Sequence, residues 1–145
     1  MNIDPEQFSG VPPVRCGVVA VIRDCERLLV IRRSQTVLAP GAYCFPGGGI
    51  EPGETEEQAL CRELQEELDV AIEPVRRIWQ CRTAWNVDLR WWTARLLPGA
   101  MIRPNPQEVE SVHWLRLGEI AALPELLAGN QIFLDGVAAG AIRLD

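Results

Sequence analysis

Apolar positions along this chain follow two different periods. VRCGVVAVI, from Val14 to Ile22, is β-branched and almost continuous, the pattern of a buried strand. RDCER makes a polar turn, and LLVIRR (Leu28 to Arg33) completes a hairpin. A loop punctuated by Pro40 and Gly41 follows, and a short apolar piece, YCF, leads into PGGG. The period then changes. Leu60, Leu64 and Leu68 recur every four residues, one apolar stripe on a helix of about four turns. Thr55-Glu-Glu-Gln58 at its start fits a capping box. Downstream, VAIEPVRRIWQCRTAW and LRWWTARLL read as two strands joined near Asn86 and Asp88, PGAMIRPNP as a loop, and VESVHWL as a further strand. GEIAALPELLAG and QIFLDGVAAG predict two short terminal helices, with Pro124 a boundary or kink in the first. Strands on both sides of the long helix, with helices again at the end, predict an α/β sandwich: a mixed sheet with helices on its faces.

Length and composition add a single domain. The 145 residues suffice for one core, with residues 1–13 (MNIDPEQFSGVPP) expected as a flexible arm and residues 14–145 as the domain. The net charge is −6, and every basic residue apart from the single His is Arg. Without a basic stripe, the chain is poorly suited to a nucleic-acid polymer. Small anionic ligands fit if a metal or a few Arg residues neutralise them locally. No apolar run approaches the roughly 20 residues that span a bilayer, and no signal-peptide pattern is evident, so we expect a cytoplasmic protein with no membrane partner. The five cysteines are scattered and only one His is present, so we expect reduced, mostly buried thiols and no zinc site.

The helix from Thr55 to Leu68 carries five carboxylates and a single Arg. Glu63, Glu66 and Glu67 stand at i, i+3 and i+4 and converge on one region beside the Leu stripe. Like charges at this spacing repel by a few tenths of a kcal/mol each, which a merely solvated face usually avoids by interleaving Lys or Arg. GGGIEPGE, just before the helix, lets the backbone double back against it. Clustered hard oxygen ligands on a rigid element suit Mg²⁺, with Mn²⁺ as the alternative.

The same stretch resembles the Nudix box. Gly48 leads, Glu54 follows after five residues, and Arg62-Glu63-Leu64 after seven more; Glu66-Glu67 and Val70 complete it, with Asp69 where the family has Gly. Asp tolerates the left-handed conformation expected there better than most residues. The resemblance implies a Nudix-type α/β/α sandwich and metal-dependent hydrolysis of a nucleoside diphosphate linked to another group. It assigns the metal to Glu63, Glu66 and Glu67, with the Gly47 carbonyl as a further ligand, and gives Arg62 the task of orienting the carboxylates. Glu54 supports the helix or meets metal through water, and Glu108 resembles the additional Glu that some members bring from a loop. Glu54, Glu66, Glu67 and Glu108 are all candidates to take the proton of the attacking water, and the sequence does not choose.

Substrate signals are thinner. Arg32 and Arg33, at the end of the second strand, are candidates for phosphate contacts. Trp91 and Trp92 face opposite ways on a strand, so one packs in the core while the other, taken as Trp92, faces a ligand groove or a partner subunit. The default expectation is a (deoxy)nucleoside triphosphate or related small nucleotide. Coenzyme A or an ADP-ribose-type pyrophosphate, and a non-hydrolytic nucleotide sensor, are the alternatives. A homodimer is common in this family, and the Trp-bearing strand pair could form its face.

Overall fold

Residues Arg15–Asp24 form β1, on which the rest of the sheet is assembled. The structure is a computed structural model that describes residues 15–145, and the arm expected at residues 1–13 lies outside the described residues. After β1 come β2 (Arg27–Arg33), β3 (Tyr43–Cys44), β4 (Gly47–Gly49), α1 (Glu56–Leu68), β5 (Ile72–Arg82), β6 (Val87–Leu96), β7 (Val109–Arg116), α2 (Leu117–Ala121) and α3 (Ala128–Ala138). The terminal helices correct the sequence reading. The first is one short turn-and-a-half ending before Pro124, and residues 128–130 join the second helix instead.

β1 turns into β2 as a hairpin paired only at its end, Arg23 with Leu28 and Asp24 with Arg27. Its body runs parallel to β6 from Arg15 opposite Val87 to Ile22 opposite Ala94. β5 pairs antiparallel with β6, β7 with β2, and the glycine strand β4 with β1, so the sheet is mixed.

Both faces of this sheet are covered, which is why β1 is apolar almost without interruption. Val18, Ala20 and Ile22 pack with Leu29, Ile31 and the Leu60–Leu64–Leu68 stripe of α1. Val19 and Val21 point the other way and pack with Leu28, Val30, Phe45 and Trp91 against Ile120 of α2 and Phe133 and Leu134 of α3. Trp91, fully buried, stacks on Phe133 with ring centroids 4.4 Å apart. The result is an α/β/α sandwich, with α1 on one face and α2 and α3 on the other. Among the described residues no helix is long and apolar enough to cross a membrane. All five cysteines are free, but only Cys44 is buried, and Cys25 is exposed in the β1–β2 turn.

Candidate active site

The acidic helix is fixed at both ends. The Thr55 hydroxyl accepts from the Gln58 N–H while the Gln58 side chain accepts from the Thr55 N–H, the capping box read from the sequence. At the other end Asp69 adopts the left-handed conformation (φ 53°, ψ 42°), and its carboxylate accepts from the Gln65 amide. The last carbonyls of α1 accept from the following loop: Arg103 N–H binds Leu68 O and Asn105 N–H binds Glu67 O, each at 2.8 Å. Those two bonds draw the 103–108 loop back over the helix and bring Glu108 beside its carboxylates.

Arg62 is the hub of the cluster. Its guanidinium grips Glu54 through two bonds (2.6 and 2.9 Å), reaches Glu63 at 3.0 Å and Glu66 at 3.3 Å, and donates to the Gly49 carbonyl at 2.7 Å. The Arg62 bonds, with a backbone bond from Glu51, hold the Glu54 carboxyl down at about 2. Glu56 plays no part in this group. It accepts from the Trp92 indole at 2.9 Å and pairs with Arg77 and Arg90.

Glu63 and Glu67 press against the glycine strand. Glu67 is buried, and its Oε1 accepts the Gly47 N–H at 2.9 Å. A Cβ on Gly47 would overlap the Val18 carbonyl, so glycine is required there, while one on Gly48 would overlap the Glu63 carboxylate and force that side chain to move. Burial first, and then the neighbouring Glu63 charge, push the Glu67 carboxyl up to about 8. Burial likewise raises Glu63 against the opposing pull of Arg62. Glu108 adds its charge to both, and its Oε2 is buried without a hydrogen-bond partner.

Two raised carboxylates and an orphaned carboxylate oxygen on facing elements are a donor set short of positive charge. Hard oxygen donors of this kind fit Mg²⁺ or Mn²⁺. Among the described residues no three His, Cys, Asp or Glu groups are gathered closely enough to hold an ion as they stand. Arg62 and the Gly47 N–H hold these carboxylates instead.

A groove of about 330 Å³ opens beside the cluster and shares the glycine strand with it. Val19, Phe45, Leu89 and Trp91 of the α3 face line it, with Arg33, Trp85 and Asn130 around them. Asn130 is buried and accepts the Phe45 N–H at 2.9 Å, which ties α3 to the segment before β4. Of the residues expected to meet substrate, Arg33 alone lines this groove. Arg32 is turned away, donating to Gly41 O, pairing with Glu110 at 3.2 Å and lying over the Tyr43 ring. Trp92 also stands apart, because strand alternation puts it on the α1 face, bonded to Glu56; Trp91 is the member of the pair that reaches the groove. Trp85, Leu38 and Asn130 carry no periodic or motif signal that would single them out by sequence for this site.

Residues 13–135 match the NUDIX domain family. The chain is 30% identical over 113 residues to the NAD-capped RNA hydrolase NudC of Stutzerimonas stutzeri (strain A1501), covering 78% of this chain and 40% of that protein. Its identity to the protein of the same name from Chromobacterium violaceum is 28% over 113 residues, covering 78% of this chain and 42% of the relative. The chain thus spans less than half the length of these curated relatives. In structure it resembles the MutT protein from Methanosarcina mazei Go1 (TM-score 0.75, 22% identity, 90% of this chain and 96% of that one). It also resembles the MutT NUDIX hydrolase from Burkholderia pseudomallei (TM-score 0.67, 28% identity, 85% and 97%).

Proposed function

We propose that this chain, which belongs to the NUDIX domain family, is a pyrophosphohydrolase that cleaves a nucleoside diphosphate linked to another group, with Mg²⁺ or Mn²⁺ as cofactor. The observation that carries this reading is that Glu63 and Glu67 press against the glycine strand, which also lines a groove, while Glu108, with an unpartnered oxygen, adds its charge to both.

Glu63, Glu66 and Glu67 would hold the ion, with the Gly47 carbonyl beside them. A bound divalent ion would neutralise phosphate charge and make a water more acidic. Arg62 keeps Glu63 and Glu66 oriented while its own charge is largely satisfied by Glu54. Arg33 lines the groove, as does Arg15, and is our candidate to meet a phosphate. The water's proton must go to a carboxylate. Glu54, held at about 2 by Arg62, is the poorest acceptor; our candidate is Glu108, whose buried oxygen has no hydrogen-bond partner.

A small nucleotide, such as a nucleoside triphosphate, suits a groove of this size and a surface without a basic stripe. A second reading, a dinucleotide of the NAD type, is favoured by the name of the curated relatives and bears on the expectation that no polymer is bound. Hydrolysis of nucleoside triphosphates, ADP-ribose, NADH, coenzyme A and NAD-capped RNA, with products resolved by mass, separates them. Nucleotide monophosphate released from a triphosphate supports the first reading. Cleavage confined to the dinucleotide or the capped RNA replaces it with the second, and nucleotide binding without turnover of any compound favours a sensor.

A further inference from the structure

Two strongly exposed apolar side chains line the groove. Trp85 is 66% exposed and Leu38 72% exposed, and both line the groove. Hydrogen bonds to the backbone fix the two positions. The Thr83 hydroxyl accepts from the Trp85 and Val87 N–H groups, Thr83 and Asn86 close the turn through backbone bonds, and Asn86 takes the left-handed conformation (φ 58°). In the loop after β2, the Leu38 carbonyl accepts from Arg33 Nε at 2.7 Å, and Ala39 turns at φ 50°. The Trp85 ring stacks on no other aromatic ring among the described residues, whereas Trp79 and Trp91 both do.

An indole held in water on a bonded turn leaves a large apolar surface hydrated unless something covers it. Arg33 ties Leu38 to the groove, since the residue that holds the Leu38 carbonyl also lines it. We propose that Leu38 and Trp85 form a clamp that takes the nucleobase of the substrate, the indole stacking on one face and the leucine closing the other. This rests on the pyrophosphohydrolase reading above and adds which end of the substrate enters the groove. Stacking of this kind tolerates different bases, because every base presents a π face. The clamp therefore governs affinity for nucleotides as a class more than choice among them.

The test compares ATP with methyl triphosphate, which carries the phosphates and no base, in wild type, Trp85→Ala, Trp85→Phe, Leu38→Ala and Met101→Ala. Met101 is an equally exposed apolar residue away from the groove and serves as the control. The clamp predicts that Trp85→Ala raises KM for ATP about tenfold with kcat little changed. Leu38→Ala should raise it less, and Trp85→Phe and Met101→Ala should stay near wild type. KM for methyl triphosphate should not move in any variant. Unchanged KM for ATP in Trp85→Ala, or equal rises for both substrates, would overturn the clamp. Calorimetric binding of α,β-methylene-ATP to the same proteins tests the clamp even if wild type hydrolyses neither compound. Absence of turnover then counts against the hydrolase reading, while weakened binding by Trp85→Ala still supports the clamp and equal binding by all variants sinks it.

Discussion

Arg62 holds Glu54 by two hydrogen bonds, one of them 2.6 Å long, while the same guanidinium reaches Glu63, its neighbour in the chain, and Glu66, one turn along the helix. One fixed cation therefore organises carboxylates from the loop and from the helix. A lysine could supply the charge but not the planar fork that serves several oxygens at once. Arg62→Lys should weaken Mg²⁺ activation by about 10- to 100-fold, the usual effect of losing a residue that orients metal ligands. Titrating the hydrolysis rate with Mg²⁺ checks this; an unchanged half-saturating concentration would contradict it.

The Glu54–Arg62 pair also sets an acid limb for stability. Glu54 titrates near its ordinary value of 4.5 when unfolded and at about 2 when folded. Between those values the unfolded chain binds more protons, so stability falls as pH drops through this window. Above about pH 4.5 the contribution is complete. Glu54→Gln should flatten that part of the acid-denaturation curve, as followed by circular dichroism, without altering the slope at neutral pH.

Glu67 presents the opposite case. Its carboxyl is buried beside Glu63, and both burial and that charge disfavour the ionised form. Glu67→Gln removes the ionisable group, and the side-chain oxygen can still accept from Gly47 N–H. Without added metal the variant should be more stable than wild type, by on the order of 1 kcal/mol, which is a melting-temperature rise of about 2–4 °C for a domain of this size. Calorimetry in EDTA at about pH 8, where the wild-type group is half ionised, reads the shift. A clear fall in melting temperature would mean that the carboxylate is structural.

Gly48 has no room for a side chain while Glu63 keeps its place, because a Cβ would fall on the Glu63 carboxylate. Gly48→Ala should displace Glu63 and cut kcat by at least about tenfold, the scale expected when positioning around a metal is lost. Far-ultraviolet circular dichroism should remain near wild type. Wild-type turnover in this variant would show that Glu63 is not where the chemistry happens.

How much of this can be read in the sequence follows from which signals are local. The Leu60–Leu64–Leu68 stripe, the capping box at Thr55 and the left-handed Asp69 are decided within one helix, and all three stand in the structure. The spacing of Glu63, Glu66, Glu67 and Arg62 is local too. Pairing across long separations is not legible: nothing in VRCGVVAVI says that it runs parallel to β6 rather than against β2 along its length. That pairing decides which face each tryptophan takes, and so the sequence points to Trp92 at a ligand groove that Trp91 lines instead. Arg32 and Arg33 show the same gap, since alternation separates them but only the folded loop at Gly41 reveals which one is held away. Glu108 is visible only through the family resemblance. What fixes its place, the bonds from Arg103 and Asn105 to the end of α1, carries no sequence pattern.

Metal-dependent turnover by the helix carboxylates is decided by nucleotide hydrolysis as a function of Mg²⁺, for wild type beside the double variant Glu63→Gln/Glu67→Gln. We predict turnover that is absent in EDTA, rises to saturation with Mg²⁺, and falls by at least about 100-fold in the double variant at any Mg²⁺ concentration. Turnover that persists in EDTA, or a double variant as fast as wild type, would contradict this mechanism.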